Sequence, residues 1–345
     1  MFPPAPVWSV DGIPDLSGQI MIVTGGNTGI GRETVKVLYV TLPALSLSLI
    51  MSLTQALLAH NAKVYMACRD EGKANRTISA LEQETGEKAI FLHLDLSDLE
   101  SVRKAADEFL SSETQLHVLF NNAAVMACPM DELSKQGYDL QFATNVMGHF
   151  FLTELLMPAL RAAASSATDK KARVITTSAA ANYLYTINWD SFKDGRARRA
   201  MDINELYYQS KHANVVVSRE VARRYGHDGI VSISLNPGQN SLFGGRFPLS
   251  SVLRSVSHTH STGNLKTDLQ RYLSGFRKAW IDRILYPAPM GALTQLWAGT
   301  SPETADFNGK FLIPWARLGE ARKETGDPEV GKRLWEWLEE QCKPY

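Results

Sequence analysis

Cysteine is scarce in this sequence, which carries Cys68, Cys128 and Cys342 among its 345 residues. An odd number of cysteines without metal-ligand spacing supplies neither a disulfide framework nor a zinc site. We interpret the three as reduced thiols of a cytoplasmic protein, and we predict that the protein holds no metal.

An excess of charge of either sign is also lacking, because 36 lysines and arginines balance 36 aspartates and glutamates. A neutral chain offers no electrostatic footprint for nucleic acid or for an anionic membrane surface. Residues 1–6 are rich in proline and lack a basic segment followed by a long apolar run, so a secretory signal peptide is not expected.

A glycine-rich stretch near the N-terminus organises the rest of the chain. Residues 20–23 form an apolar run that predicts a buried parallel strand. The run leads into Gly25-x-x-x-Gly29-x-Gly31, whose glycines let backbone N–H groups approach a phosphate at the start of a helix. The spacing differs from the plain G-x-G-x-x-G fingerprint, and such a cluster can be a simple turn. The preceding strand favours a dinucleotide site.

Apolar strands alternate with helical segments along the rest of the chain. This alternation predicts one doubly wound α/β domain over residues 1–345, with a parallel sheet of about seven strands flanked by helices. Ser97 and Glu100 predict a capping box at the helix 97–110. The predicted strands are 20–23, 63–68, 89–94, 117–120, 173–177, 230–235 and 311–313. The main predicted helices are 72–86, 97–110, 137–160, 204–225, 290–299 and 329–342.

Side chains at the ends of these strands suggest how a dinucleotide is held. Arg69 directly follows the second strand, where an arginine suits a 2′-phosphate and an acid would suit a 2′-hydroxyl. A solvated loop arginine is the alternative. Asp95 ends the third strand and could accept a hydrogen bond from the adenine amino group. Small residues at 121–124 would let the backbone after the fourth strand lie near the cofactor.

Two further positions suggest chemistry. Tyr207 and Lys211 are four residues apart at the start of the predicted helix 204–225, so they share one face. Asn145 lies inside the apolar helix 137–160, where its amide must be hydrogen-bonded and where a structural role is commoner than a catalytic one. We interpret the Lys- and Arg-rich loop 190–202 as a solvated face.

Together these motifs resemble the short-chain dehydrogenase/reductase family, in particular its retinol-dehydrogenase-like and WW-domain-oxidoreductase-like branch. The resemblance runs from about residue 8 to residue 343, apart from two segments treated below, and it implies a Rossmann domain. The matching motifs are Thr24 to Gly31, Asp95-Leu96, Asn121-Asn122-Ala123, Asn145-Val146-Met147-Gly148, Tyr207 to Lys211 and Asn236-Pro237-Gly238.

The resemblance also implies roles for individual residues. Tyr207 would act as acid/base, and Lys211 would lower its pKa from the ordinary value of about 10 and hydrogen-bond the nicotinamide ribose. Asn145 would hold a water that links the lysine to solvent. With Arg69 present, the implied cofactor is NADP(H) more than NAD(H). The implied cofactor-binding residues are Gly25, Asn27, Thr28, Gly29, Ile30, Gly31, Arg69, Asp95, Asn122, Tyr207, Lys211 and Thr267, of which Thr267 would contact the carboxamide.

One part of the site departs from the family pattern. The fifth strand of the family usually ends in two serines, of which the second polarises the substrate carbonyl, whereas this chain has Ser178 followed by Ala179. Losing such a donor typically reduces the rate by roughly 10²–10³. Either Ser178 takes over through a shifted loop, or the activity is weak. Ala124 also replaces a usual glycine, which would narrow the nicotinamide pocket slightly.

Two segments interrupt the family spacing. Residues 37–59 contain no charged residue and are long enough to span a bilayer, and residues 239–263 form a long irregular stretch. Removing 37–55 restores a continuous amphipathic helix, and removing 239–263 restores the spacing between Gly238 and Thr267. The hypothesis is that both are translated retained introns, which sequencing of the transcript would test. Segments that are genuine would supply a membrane anchor or an altered lid.

The predicted function is an NADP(H)-dependent oxidoreductase that interconverts a small apolar ketone or aldehyde and its alcohol. Its predicted catalytic residues are Tyr207, Lys211, Ser178 and Asn145. The alternative is a catalytically weak NADP-binding sensor or partner-binding protein. A third hypothesis is a membrane protein anchored by 37–59, so membrane association is expected solely through that segment. No nucleic-acid partner is expected, and the sequence is compatible with a homo-oligomer.

Overall fold

The computed structural model describes residues 5–25, 53–238 and 288–345. Several sequence-based predictions concern residues outside these ranges, and they stay predictions. They involve Asn27, Thr28, Gly29, Ile30 and Gly31 of the glycine turn, residues 37–52 of the first interrupting segment, the whole segment 239–263, and Thr267.

An eight-stranded sheet forms the centre of the described structure, with the strand order β3-β2-β1-β4-β5-β6-β7-β8. Neighbouring strands are parallel except for β7 and β8, which pair antiparallel. The predicted doubly wound fold is confirmed, and the extra strand is a three-residue segment without an apolar run. The strands are Ile20–Thr24 (β1), Lys63–Cys68 (β2), Ile90–His93 (β3), Val118–Asn121 (β4), Ala172–Thr177 (β5), Ile230–Leu235 (β6), Phe311–Ile313 (β7) and Arg317–Gly319 (β8).

Helices cover both faces of the sheet. The predicted capping box at Ser97 is wrong, because Asp98 caps α3 and accepts from Glu100 N at 3.1 Å. Ser97 instead donates its backbone N–H and its hydroxyl to Asp95 Oδ1. The helices are 53–58 (α1), Glu71–Thr85 (α2), Leu99–Ser112 (α3), Leu140–Phe142 (α4), Gly148–Ser166 (α5), Arg196–Arg199 (α6), Ile203–Tyr225 (α7), Ala288–Thr300 (α8) and Pro328–Cys342 (α9).

Most of the core consists of two apolar clusters, one on each face of the sheet. Strand β1 contributes Ile22 to the cluster that contains α3, α5, α7 and α9, and it contributes Met21 and Val23 to the cluster that contains α1, α2 and α8. Successive strand residues point to opposite faces, so a parallel strand covered on both sides must be apolar throughout. This requirement explains why the central strands were recognisable in the sequence.

The helix predicted over 137–160 is interrupted by a π-helical turn, Ala143–Met147, between α4 and α5. Asn145 lies in the middle of this turn, a type of irregularity that is frequent at functional sites. Gly148 begins α5 close to the backbone after β3, where an added Cβ would lie 2.4 Å from the Leu96 carbonyl oxygen. The glycine therefore allows the helix to approach the carboxyl end of the sheet.

The arginine-rich loop is more than the solvated face that its composition predicted. Arg198 on α6 is 2% exposed, and its Nε donates to Asp139 Oδ2 at 2.9 Å. Arg198 also donates to the Met130 carbonyl at 2.7 Å, and Asp139 caps α4 by accepting from Phe142 N at 2.9 Å. Removing one member of such a pair would leave an unpaired buried charge. The pair thus anchors the loop to the start of the helix that leads to Asn145.

The end of the first interrupting segment belongs to the packed structure. Leu53 and Thr54 are buried in α1 together with Leu57 and Leu58. Residues 53–55, the last three of the segment 37–55, are thus part of the described helix α1. Across the described ranges, none of the helices combines the length and apolarity that crossing a bilayer requires.

Candidate active site

The candidate site lies at the carboxyl edge of the sheet, where the strand order reverses between β1 and β4. Ligands of doubly wound sheets bind in the crevice at this point. Gly25 follows β1, Arg69 follows β2, Asp95 lies beyond β3, Asn122 follows β4 and Ser178 follows β5. Parallel strands therefore bring these predicted residues to one edge. Within 5–25, 53–238 and 288–345, no three His, Cys, Asp or Glu side chains are arranged to hold a metal.

Gly25 lies where the ends of β1 and β4 come close together. Its φ is +87°, and an added Cβ would lie 2.6 Å from Cα and Cβ of Ala123, so both conformation and space require glycine. Asn122 lies beside it and donates from Nδ2 to the Thr24 carbonyl at 3.2 Å. The Asn122 Oδ1 accepts from Gln295 Nε2 at 3.0 Å. The amide of Asn122 is therefore used to join the two strand ends.

Helix α7 carries the predicted acid/base pair. The helix begins with a capping box, in which the Asp202 backbone N donates to Glu205 Oε2 at 3.0 Å. Tyr207 and Lys211 follow one turn apart, with 7% and 1% of their surfaces exposed. Lys211 Nζ lies 5.8 Å from the centroid of the Tyr207 ring. The structure thus brings the two side chains together as the spacing predicted.

The Lys211 ammonium is held at the end of β5. Its Nζ donates to the Thr177 carbonyl at 2.9 Å, and the same carbonyl accepts from Asn214 Nδ2 at 3.2 Å. An ammonium carries three donors, and Thr177 is its one hydrogen-bond partner in the described part of the chain. Burial lowers the pKa of Lys211 to about 7. The neutral form of Lys211 is therefore easier to reach near neutral pH than that of a lysine in water.

Tyr207 lies in a small apolar cluster with Met126 and Ala181. Burial, with a smaller effect from the neighbouring Tyr208, raises the pKa of Tyr207 above its ordinary value. The predicted lowering of this pKa is therefore not the net result. Loss of hydration of the buried phenolate is the largest cause of the shift, and it acts in the opposite direction to the cation that Lys211 would supply.

Ser178 has a different role from the one predicted. Its hydroxyl donates to the Lys211 carbonyl at 2.7 Å, and its backbone N donates to the Leu235 carbonyl at 2.7 Å. A serine hydroxyl has one proton, so none remains for a substrate carbonyl. Ser178 instead attaches α7 to the end of β5. Ala179 packs against the cluster of Tyr207 and brings no donor group.

Asn145 connects α7 to the loop after β4. Its Oδ1 accepts from Val125 N at 2.8 Å, and its Nδ2 donates to the Val125 carbonyl and to Ser210 Oγ, both at 3.0 Å. Ser210 in turn donates to the Tyr207 carbonyl at 2.7 Å. Both amide hydrogens thus have protein partners, and the predicted water-holding role of Asn145 stays a prediction. In this structure Asn145 is a positioning residue.

Arg69 and Asp95 face each other across the ends of β2 and β3. Arg69 Nη1 lies 3.6 Å from Asp95 Oδ2, and the side chains are 28% and 29% exposed. An ion pair exposed to this extent contributes roughly 0–1 kcal/mol. A phosphate could therefore compete for the guanidinium. The role of Asp95 toward adenine stays a prediction.

His149 is buried behind the crevice, and no role was predicted for it from the sequence. Its ring nitrogens lie 2.8 Å from Thr24 Oγ1 and 3.1 Å from the Asn145 carbonyl. The available signal was its spacing, because a residue four positions after Asn145 lies close to it on a helix. Thr24 was recognised as part of a motif, without a role for its hydroxyl.

Comparisons with known proteins identify relatives along the whole chain. A family model described as short chain dehydrogenase matches residues 50–192. The full chain is 56% identical to a short-chain dehydrogenase/reductase of Armillaria gallica, 97% of which is covered. A structure from Mycobacterium paratuberculosis has a TM-score of 0.67 at 24% identity and covers 97% of each chain. The L-sorbose reductase of Gluconobacter frateurii, complexed with NADPH and L-sorbose, has a TM-score of 0.56 at 15% identity and covers 88% of this chain and 98% of its own.

Burial of Lys211 makes a prediction about stability. The unfolded lysine titrates near 10.4, whereas the folded pKa is about 7, so between these values the unfolded chain binds more protons and wild-type stability rises with pH. Lys211→Met should therefore unfold at a temperature about 5 °C higher than wild type at pH 7, with the difference shrinking toward pH 10. Thermal unfolding at several pH values measures this. Lys104→Met, at an exposed position of α3, is the control. A difference between wild type and Lys211→Met that is constant from pH 7 to pH 10 would contradict the prediction.

Proposed function

We propose that this chain, which belongs to the short-chain dehydrogenase/reductase family and is an oxidoreductase, interconverts a ketone or aldehyde and its alcohol with NADP(H). The observation that carries the proposal is the pairing of Tyr207 and Lys211 on one face of α7, with the lysine bonded to the end of β5. This pair lies at the edge of the sheet where ligands of such folds bind.

The chemistry of the described residues fits a nicotinamide dinucleotide. Lys211 is buried and has N–H donors without a partner in the described ranges, which suits a sugar hydroxyl. Gly25 at the end of β1 has a positive φ and no Cβ, which lets its backbone approach a neighbouring group closely. Arg69 favours the 2′-phosphate of NADP(H) over the hydroxyl of NAD(H). NADPH in the complex of the Gluconobacter reductase supports the same class of cofactor.

The proposed chemistry assigns the proton transfers to this chain. The bound cofactor would supply the hydride. Tyr207 donates its proton to the carbonyl oxygen and becomes a tyrosinate, which the Lys211 ammonium stabilises. The raised pKa of Tyr207 keeps the phenol protonated at neutral pH, which is the form that carbonyl reduction needs. In the oxidation direction the tyrosinate accepts the alcohol proton.

The surroundings of Tyr207 favour a small apolar substrate. Met126 and Ala181 bury the ring, and Ala127, Ala179 and Tyr208 pack against them. A polar substrate group would lose its hydration beside Met126 and the three alanines without gaining a partner from their side chains. The proposal keeps one domain over residues 1–345, a cytoplasmic location and the predicted family branch.

A second candidate is a catalytically weak NADP-binding sensor. The observation that favours it is that position 179, where the family usually has its second serine, is alanine, while the Ser178 hydroxyl is bonded to the Lys211 carbonyl. Such a protein would bind the cofactor and turn it over slowly or not at all.

Tyr207→Phe should lower carbonyl reduction by about 10²–10⁴-fold, because the variant lacks the proton donor. NADPH affinity, measured by fluorescence titration, should stay within about threefold, since the aromatic ring is retained. Tyr225→Phe makes the same chemical change at the far end of α7, where the hydroxyl bonds Glu154, and should keep its activity. Normal carbonyl reduction by Tyr207→Phe would show that another group is the acid.

Arg69→Glu should weaken NADPH binding by about 10- to 100-fold and NADH binding much less, because a charge-assisted bond to the 2′-phosphate is replaced by repulsion. Dissociation constants for both cofactors, measured at one salt concentration, give the comparison. Arg76→Glu, an exposed residue on α2, makes the same charge change away from the strand end. An equal loss for NADPH and NADH would remove the case for a phosphate contact.

Ala179→Ser distinguishes the enzyme from the sensor. If the protein is an enzyme that lacks a donor, the added hydroxyl should raise kcat/KM for simple ketones by roughly 10- to 100-fold. Ala180→Ser, one residue further, is the matched control. NADPH oxidation with a panel of ketones and aldehydes provides the measurement. Cofactor binding without turnover in both wild type and Ala179→Ser would favour the sensor.

A further inference from the structure

His149 is a buried histidine that touches the last residue of β1 and the π-helical turn. Its Nε2 lies 2.8 Å from Thr24 Oγ1, and its Nδ1 lies 3.1 Å from the Asn145 carbonyl. The residue is 4% exposed. The ring thus lies between the residue that leads into the glycine turn and the residue that positions α7.

The partners of the ring determine its tautomer. The Asn145 carbonyl can only accept, so Nδ1 must carry a proton. A neutral ring then leaves Nε2 as an acceptor, and the Thr24 hydroxyl donates to it. Burial lowers the pKa of His149 to about 4, which keeps the ring neutral near pH 7.

The direction of the Thr24 hydroxyl has consequences for the crevice. Its oxygen accepts from Asn122 N at 3.0 Å and from Ala123 N at 3.2 Å. The Phe120 carbonyl, at 3.1 Å, is the competing acceptor for the hydroxyl proton. A hydroxyl has one proton and two lone pairs, so donation of the proton to His149 leaves the two lone pairs to match the two backbone N–H groups. Those groups belong to the segment that lies against Gly25.

We infer that His149 is a positioning residue for the cofactor crevice. Its Nδ1-protonated ring directs the Thr24 hydroxyl, and that hydroxyl holds the Asn122–Ala123 backbone against Gly25. The same ring accepts no substrate and touches no reacting atom. The inference rests on the proposed binding of a nicotinamide dinucleotide in this crevice.

Binding of NADPH to four proteins tests the inference: wild type, His149→Phe, Thr24→Val and the double variant. His149→Phe should raise the dissociation constant about tenfold. The double variant should bind no more weakly than Thr24→Val, because both changes act through one hydroxyl. His149→Gln can accept from Thr24 and should bind within about threefold of wild type.

His117→Phe is the matched control. His117 accepts from Ile20 N at 3.0 Å, so it contacts the opposite end of the same strand. Both phenylalanine variants should lower the melting temperature of the protein without cofactor. His117→Phe should leave NADPH affinity within about twofold of wild type. If the role of His149 were purely structural, His149→Phe would also leave NADPH affinity within about twofold of wild type.

Nuclear magnetic resonance of the wild type is a second test, and His149→Gln is the one variant it requires. The ring nitrogens of His149, assigned by the signals lost in His149→Gln, should show a protonated Nδ1 and a bare Nε2 at pH 7. An Nε2-protonated ring would overturn the inference. A folded His149→Phe that binds NADPH as wild type does, or losses that multiply in the double variant, would also overturn it.

The outcomes separate the inference from the proposed function. A wild-type protein that binds neither NADPH nor NADH contradicts the proposed function before any variant is compared. A wild-type protein that binds NADPH, with His149→Phe unaffected, contradicts the role of His149 alone.

Discussion

One hydrogen bond, from Lys211 Nζ to the Thr177 carbonyl, joins the face of α7 that carries Tyr207 and Lys211 to the end of β5. The bond places a cation inside the protein, and its lowered pKa reflects the lost hydration. Other contacts keep the helix in this place, because Ser178 donates to the Lys211 carbonyl and Asn214 shares the Thr177 carbonyl. The helix is thus attached to β5 by its backbone and by its side chains.

A layer of buried polar side chains lies behind the crevice. Asn145 joins the loop after β4 to Ser210 on α7, and His149 joins the π-helical turn to Thr24 at the end of β1. Of the five bonds made by the Asn145 amide and the His149 ring, three end on backbone groups, which move only with the chain around them. A satisfied polar network of this kind favours a single arrangement of the elements it connects. The geometry of the crevice is therefore a property of several elements together.

The sequence was informative where local pattern decides structure. The central strands were predictable because burial on both faces makes them apolar throughout. Helix α7 was predictable because burial on one face gives its apolar residues a helical spacing. The N-cap of α3 was predicted wrongly because both Ser97 and Asp98 are residue types that cap helices. In the structure Ser97 donates to Asp95, and Asp98 is the residue that caps the helix.

The chemistry of the site was harder to predict than its location. The pairing of Tyr207 and Lys211 was predicted from their spacing. Whether the pKa of Tyr207 is raised or lowered depends on burial, which the identities of the two residues do not reveal. The role of Ser178 depends on which carbonyl lies beside its hydroxyl, and the role of His149 depends on a contact with a residue 125 positions away. Such properties arise when distant segments meet.

The π-helical turn at Ala143–Met147 limits how the helical segment formed by α4, the turn and α5 can be shortened. Before the turn, Asp139 forms an ion pair with Arg198. After the turn, Gly148 packs closely against the Leu96 carbonyl. Each residue of a regular helix rotates the chain by about 100°. Deleting one residue here would restore ordinary α-helical bonding but would turn one of these two contacts away from its partner. Evolution can therefore exchange side chains along this stretch more readily than it can shorten it.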